Sequence, residues 1–297
     1  MRYIELSDLK NPVSRFIFGT SVNIMTKGEG ADTLLDNVFD EGVNTFDTAR
    51  VYGESEKNLG QWIKNRNIRD KINIITKGCH HDAQGSRVTK IDLIYDVEMS
   101  LKSLNTDYID IYLLHRDDPK ISPEAMIDAL NDLVRQGKIL SFGASNWTHR
   151  RIEEANNYAK ENVLRGFSVS SPCFSAVKRV FDPWGGSRDV AGCSEAQAWY
   201  AENKMPVFAY SSLARGYLSG KFRSGEIASE KSVPQEYVCP ENEAILKSIE
   251  EEAEEKGLTV AQTALLRILK SDMTVCPIVS PTLPRHIKEI AEVFENL

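Results

Sequence analysis

A chain of 297 residues, 41% hydrophobic and 27% charged, has the composition of a globular protein with a sizeable core. Its 36 basic and 43 acidic residues leave a net charge of -7, which argues against a general nucleic-acid or anionic-membrane surface but leaves room for a local basic pocket. No run approaches the ~20 apolar residues of a membrane helix, and the opening MRYIELSDLKNPVSRF has no apolar signal core, so a cytoplasmic location is expected.

Taken in chain order, short apolar segments alternate with amphipathic ones. Strands are predicted at 16–19, 43–46, 72–76, 108–114, 141–144, 167–170, 206–210 and 275–279. Helices are predicted at 31–41, 55–65, 89–103, 123–135, 149–160, 194–203, 241–256, 260–270 and 284–294. Leu93, Val97, Leu101 and Leu104 recur at helical spacing, and Ser122-Pro123-Glu124 reads as an N-cap followed by a first-turn proline, with Gly137 as the stop. The acidic run 250–255 reads as the wet face of a helix.

Eight strands interleaved with helices over this length predict one α/β domain, residues 1–297, folded as a (β/α)8 TIM barrel. Residues 1–15 are expected to cap the bottom of that barrel. An open dinucleotide-binding sheet would need GxGxxG after its first strand, and neither Gly19-Thr20-Ser21 nor Gly28-Glu29-Gly30 supplies it. The five cysteines are scattered without a CxxC pair, as in a reducing compartment.

In such a barrel the chemistry belongs at the C-terminal ends of the strands. Asp47 ends the second predicted strand, Lys77 the third and His115 the fourth; Ser145 and Asn146 end the fifth, and Tyr210 and Ser211 the seventh. Tyr52 lies in the loop after Asp47, closed by Gly53. Each has a structural alternative: a loop-capping Asp, a snorkelling Lys, a satisfied core His, a packed Tyr. Their coincidence on one rim favours chemistry. A free tyrosine, with a pKa of about 10, is a poor donor near neutrality. A lysine ammonium stabilises its phenolate, a carboxylate keeps that lysine charged, and a neutral histidine fixes a substrate oxygen. This set suits a carbonyl receiving hydride, and since none of the four is a hydride source, a nicotinamide is required.

The motifs FDTARVYGESEKNLG (46–60), IITKG (74–78), DYIDIYLLHRDDP (107–119), GKILSFGASNW (137–147), AYSSLARGYLSGKF (209–222) and TVAQTALLRIL (259–269) together closely resemble the aldo-keto reductase superfamily, over nearly the whole chain. The resemblance implies a (β/α)8 barrel, a small-molecule aldehyde or ketone as substrate, and NADP(H) ahead of NAD(H) as cofactor. It carries the catalytic roles onto Asp47, Tyr52, Lys77 and His115, with Tyr52 as general acid in reduction. It puts cofactor contacts at Gly19, Thr20 and Asp47, carboxamide contacts at Ser145 and Asn146, a ring-stacking aromatic at Tyr210, and a pyrophosphate loop at Ser211, Ser212 and Leu213.

Three departures from the family pattern stand out. Ser171 replaces the usual glutamine after the sixth strand. In the last segment, where the family contacts adenine and 2′-phosphate, the corresponding positions become Ser280, His286, Glu289 and Ile290, with Thr282 between, and Arg285 or His286 is the cation available to a phosphate. The loop 177–192 is long and brings Phe181 and Trp184 either to the substrate mouth or into an apolar plug. The chain ends at Leu297 soon after its last predicted helix, so no long tail is expected to shape the pocket. Two competing functions are a nicotinamide-binding regulatory subunit of the potassium-channel β type and a metal-dependent hydrolase, the latter prompted by His80-His81-Asp82. No metal is expected, because a first-strand HxH pair is missing.

Overall fold

Strands of a parallel sheet are covered on both faces, so their sequences are apolar runs rather than alternating ones. The eight barrel strands follow that rule in the computed structural model, which describes residues 1–28, 30–227 and 230–295. Glu29 of the rejected glycine motif and the terminal Leu297 lie outside the described residues. An antiparallel hairpin of β1 (Tyr3–Ile4) and β2 (Val13–Ser14) comes first. The barrel strands are β3 (Ile17–Gly19), β4 (Thr45–Asp47), β5 (Asn73–Gly78), β6 (Ile109–Leu114), β7 (Ile139–Ser145), β8 (Val169–Ser171), β9 (Val207–Ala209) and β10 (Val275–Val279). All pair in parallel in chain order, and β10 closes onto β3.

Ten α-helices are described: α1 (Asn23–Lys27), α2 (Ala31–Asp40), α3 (Ser55–Arg66), α4 (Lys90–Leu104), α5 (Pro123–Arg135), α6 (His149–Glu161), α7 (Ser194–Glu202), α8 (Pro240–Lys256), α9 (Val260–Leu269) and α10 (Pro284–Val293). Local chemistry sets their ends. Thr259 and Gln262 form a reciprocal capping box at α9. The Ser122 side chain caps α5 ahead of Pro123, and left-handed Asn67 and Asn105 terminate α3 and α4.

The strand register sorts side chains into layers. Ile17, Ile75, Ile111, Leu113, Val169, Phe208, Cys276 and Ile278 fill the barrel interior. Successive residues alternate between the faces of a strand, so Lys77 lies two residues above Ile75 on the same inward face. By the same step His115 follows Leu113, and Ser171 follows Val169. Asp47 pairs with Ile75 and Ser145 with Ser171. The polar residues thus form one layer above a greasy filling. Below that filling, Ile4, Leu6 and Leu9 of the N-terminal hairpin pack against the interior, the floor expected of residues 1–15.

The predicted strands differ from the observed ones mainly at their tips. β4, β5, β7 and β8 run on to include Asp47, Lys77-Gly78, Ser145 and Ser171, so these polar side chains are held by sheet hydrogen bonds rather than by loops. A second apolar cluster sits beside the barrel, where Val177, Tyr217, Leu218, Phe222 and Tyr237 pack on Leu246 and Ile249 of α8. It gathers the two long excursions, after β8 and after β9, at the C-terminal rim.

Candidate active site

The charged pair of the polar layer comes from adjacent strands. Lys77 Nζ lies 2.6 Å from Asp47 Oδ1, with the two side chains 3% and 5% exposed. The same ammonium donates to the Thr48 carbonyl at 2.9 Å. Burial works against the Lys77 charge, yet Asp47 and the Tyr52 hydroxyl together hold its pKa above the ordinary lysine value. Burial pushes the Asp47 carboxyl up, and the ammonium beside it pulls it back. An ion pair this dry is costly to form and costlier to leave half-made.

Tyr52 is brought to that pair by a tight β4–α3 loop. Gly53 takes a left-handed φ of 58°, and a Cβ there would stand 2.9 Å from the Thr26 carbonyl, so only glycine fits. Arg50 pairs with the buried Glu56, which also accepts from Thr76 Oγ1 at 2.7 Å, anchoring the loop to β5. Tyr52 is half-buried, its ring centroid 5.2 Å from Lys77 Nζ. Burial raises the Tyr52 pKa above its ordinary value; Lys77 and Arg116 lower it but do not win, while the Asp47 charge adds to the rise. The expected lysine effect is present, but in this state desolvation outweighs it and the hydroxyl is a neutral phenol.

His115 meets Tyr52 edge-on, with ring centroids 5.9 Å apart. Burial holds its pKa well below the ordinary imidazole value, helped by Lys77, His80 and Arg116, so the ring is neutral. Its Nδ1 is enclosed without a partner. The Tyr52 phenol and a neutral imidazole thus stand together as hydrogen-bond donors beside a buried ammonium, an arrangement that can hold and protonate a carbonyl oxygen.

The predicted carboxamide contacts are placed differently from one another. Asn146, at a left-handed φ of 65°, donates to the His115 carbonyl and to Ser145 Oγ, both at 3.0 Å. Its oxygen accepts from the Tyr210 hydroxyl at 2.7 Å and from Arg188 N at 3.1 Å. Asn146 therefore braces four segments. Ser145 donates to the Ser171 carbonyl at 2.8 Å, and the Ser171 hydroxyl is buried with no partner. That free hydroxyl, with the unpartnered His115 Nδ1, fits a polar amide and a carbonyl at this rim, so the donor set suits a nicotinamide.

The remaining predicted contacts spread along the rim. Thr20 is buried and donates to the Asp47 carbonyl at 2.9 Å, and a Cβ on Gly19 would stand 2.7 Å from Ser280 Oγ. Ser211 takes a left-handed φ of 54°, Ser212 Oγ donates to the Ala209 carbonyl at 2.6 Å, and Leu213 packs on the cores. Thr282, Arg285 and His286 are exposed near the start of α10, the last two 3.3 Å apart. Glu289 faces away from them, pairing with Thr259 Oγ1.

The loop 177–192 crosses this rim. Asp182 accepts from Trp184 N at 3.1 Å and Ser187 N at 2.8 Å, and Arg179 lies 3.7 Å from Asp189. Trp184 stacks edge-wise at 6.2 Å from Tyr210 and carries Arg179 and Arg215 over its faces. Phe181 stays exposed. Two residues escaped the sequence reading. Arg116, directly after His115 and quoted only as part of a motif, is buried at the rim; a cation closing an apolar strand was the available signal. His80, weighed only as a metal ligand, packs its ring 4.8 Å from His115. Asp82 instead serves its own turn, accepting from Gln84 N at 2.8 Å, and among the described residues no group of three or more His, Cys, Asp or Glu could hold a metal.

The sequence model of the Aldo/keto reductase family matches residues 17–297. The chain belongs to that family. Aldo/keto reductases known from curated work include an aryl-alcohol dehydrogenase of Pestalotiopsis microspora, 28% identical over 90% of this chain and 68% of its own length. A norsolorinic acid reductase B of Dothistroma septosporum is 30% identical over 88% of this chain and 67% of its own length. A Schizosaccharomyces pombe protein described as a candidate voltage-gated potassium channel β subunit is 27% identical over 99% of this chain and 88% of its own length. The barrel, the family and these relatives make this aldo/keto reductase an NAD(P)-dependent oxidoreductase of the carbonyl-reducing kind.

Proposed function

We propose that the protein reduces the carbonyl of an aldehyde or ketone to an alcohol, with Tyr52 as proton donor. The observation that carries the reading is the buried Asp47–Lys77 pair, at 2.6 Å, beneath a neutral Tyr52 phenol and a neutral His115. A nicotinamide held at this rim would supply the hydride. Tyr52 gives its proton to the carbonyl oxygen as negative charge develops there, and the Lys77 ammonium stabilises the phenolate left behind. Asp47 keeps that ammonium charged, and His115 orients the carbonyl by a hydrogen bond. Ser171, together with Ser145, would hold the carboxamide, with Tyr210 beside the ring and Asn146 bracing both sides. Ser211, Ser212 and Leu213 would follow the pyrophosphate.

NADP(H) is favoured over NAD(H) by the exposed Arg285 and His286 at the start of α10, where a cation and helix N–H groups suit a 2′-phosphate. A regulatory role of the channel β-subunit type is the second reading, favoured by the fission-yeast relative; the complete tetrad weighs against it. Tyr52→Phe separates the two. Fluorescence titration should find NADPH binding nearly unchanged in the variant and tighter than NADH, while turnover of a simple aldehyde falls by several orders of magnitude. Undiminished turnover would remove Tyr52 as the proton donor.

A further inference from the structure

Arg116 is the one arginine buried as a whole residue among the described residues, at 9% exposure. A guanidinium keeps its charge at any accessible pH and offers five N–H donors, so enclosing one without an anion is unfavourable. Other arginines of this chain meet that demand internally. Arg69 holds Asp110 at 2.7 Å, Arg87 holds Asp96 at 3.0 Å and Arg151 holds Asp117 at 3.2 Å. Arg116 has no carboxylate within 4.0 Å among the described residues. Its Nε is shut away from water with no partner. Its hydrogen bond runs from Nη1 to the His115 carbonyl at a long 3.4 Å, and Nη2 makes none.

The position of this charge is as telling as its isolation. Arg116 is the next residue after His115, at the end of β6. Its field reaches Tyr52, His80, His115 and Tyr210, groups from three strand ends and the Tyr52 loop. The guanidinium is therefore near enough to the Tyr52–His115 grouping for its charge to be felt there. The acid of the crossing loop does not neutralise it, since Asp182 is engaged by Arg179, Trp184 N and Ser187 N. Nη2, which makes no hydrogen bond and is not shut away as Nε is, is the nitrogen left to meet an incoming carboxylate.

We infer that the carbonyl substrate carries a carboxylate, and that Arg116 binds it while the carbonyl lies at Tyr52 and His115. The inference rests on the carbonyl-reductase reading above. It makes the substrate an oxo acid rather than a neutral aldehyde, and gives Arg116 the part of specificity residue. A carboxylate arriving there completes an ion pair that the fold leaves open.

The test uses the whole protein and two aldehydes of similar size, 4-carboxybenzaldehyde and its neutral methyl ester, methyl 4-formylbenzoate. Calorimetric titration, with and without oxidised nicotinamide nucleotide, measures binding where no turnover can occur. The acid should bind wild type at least tenfold more tightly than the ester. Arg116→Met should bring that ratio close to one, and Arg116→Lys, which keeps a charge on a shorter side chain, should fall between. In turnover with NADPH the same ratio should appear in KM more than in kcat. Equal binding of acid and ester by wild type overturns the inference. So does a preserved ratio in Arg116→Met, or a Met variant that loses nucleotide affinity instead of acid affinity. If Arg116→Met does not fold, the wild-type ratio and Arg116→Lys decide. Tight acid binding without reduction by either nucleotide would sink the reductase reading and leave the anion site standing; equal reduction of both aldehydes would do the reverse.

Discussion

Lys77 sits between a carboxylate it neutralises and a phenol it polarises, so its removal has two separable consequences. Lys77→Met leaves Asp47 buried with no counter-ion, and breaking a buried pair from one side costs about 3–5 kcal/mol. It also removes the charge that stabilises the phenolate, a loss of roughly 10²–10⁴ in turnover for an acid–base device of this kind. The double variant Lys77→Met with Asp47→Asn should regain much of the stability in a denaturant melt and none of the turnover. Recovery of both together would mean that the pair only holds the barrel together. The pH dependence follows from the two neutral donors. His115 is held neutral by burial and by Lys77, so it takes a proton only well below its ordinary pKa. Tyr52, raised by burial, loses its proton only above its ordinary pKa. Reductive kcat should therefore stay flat through about pH 6.5 and up to about pH 9, falling only well below about pH 6.5 as His115 charges and on the alkaline side as Tyr52 ionises. A histidine-like inflection near pH 6.5 would show that His115 is not held as described.

Elements carry these residues, and their packing can be tested at Gly60, where α3 crosses α4. A Cβ at Gly60 would lie 2.3 Å from the Leu104 carbonyl oxygen and 2.7 Å from Leu104 Cα. Backbone, not a flexible side chain, would have to move. Gly60→Ala should cost about 1–3 kcal/mol despite alanine's better helix propensity, measured as a lower denaturation midpoint; an unchanged or higher midpoint would mean that the helices can part freely. The eight barrel strands were legible because double-sided burial writes continuous apolar runs, and long helices because their period repeats over three or more turns. The five residues of α1 are too few to show a period, and the two-residue strands β1 and β2 too short to differ from loop. The grouping of Asp47, Tyr52, Lys77 and His115 was legible because residue type and strand-tip position both pointed to one rim. The saturation of Asn146 was not, because its partners His115, Arg188 and Tyr210 stand 31, 42 and 64 positions away. The isolation of Arg116 is likewise a fact about which carboxylates fail to reach it, and no local pattern encodes that.

At the scale of the whole molecule, a rigid barrel carries a looser upper tier. The strands below are tied by parallel ladders and by the floor hairpin; the loop 177–192 is anchored near its ends by buried Val177 and Val190 and by backbone bonds to Cys173, while its middle is held by polar contacts centred on Asp182. Val180 N donates to the Glu236 carbonyl at 2.8 Å, and Arg215 reaches the buried Glu236 carboxylate, so this loop and the excursion after β9 are fastened to one another. Arg188 N joins the same tier to Asn146 and hence to the polar layer at the strand ends. Local opening of the middle of the loop requires only the loss of the Asp182 contacts, while global unfolding requires loss of the barrel. Asp182→Ala deletes the acceptor of the Trp184 and Ser187 amides and a partner of Arg179 without touching the core. Amide exchange within 177–192 should quicken in that variant, KM for the carbonyl substrate should rise as Trp184 leaves Tyr210, and the melting temperature should move by less than about 4 °C, the shift of roughly 1 kcal/mol in a chain of this size. A large fall in melting temperature with unchanged loop exchange would mean that the loop is part of the barrel's own cooperative unit.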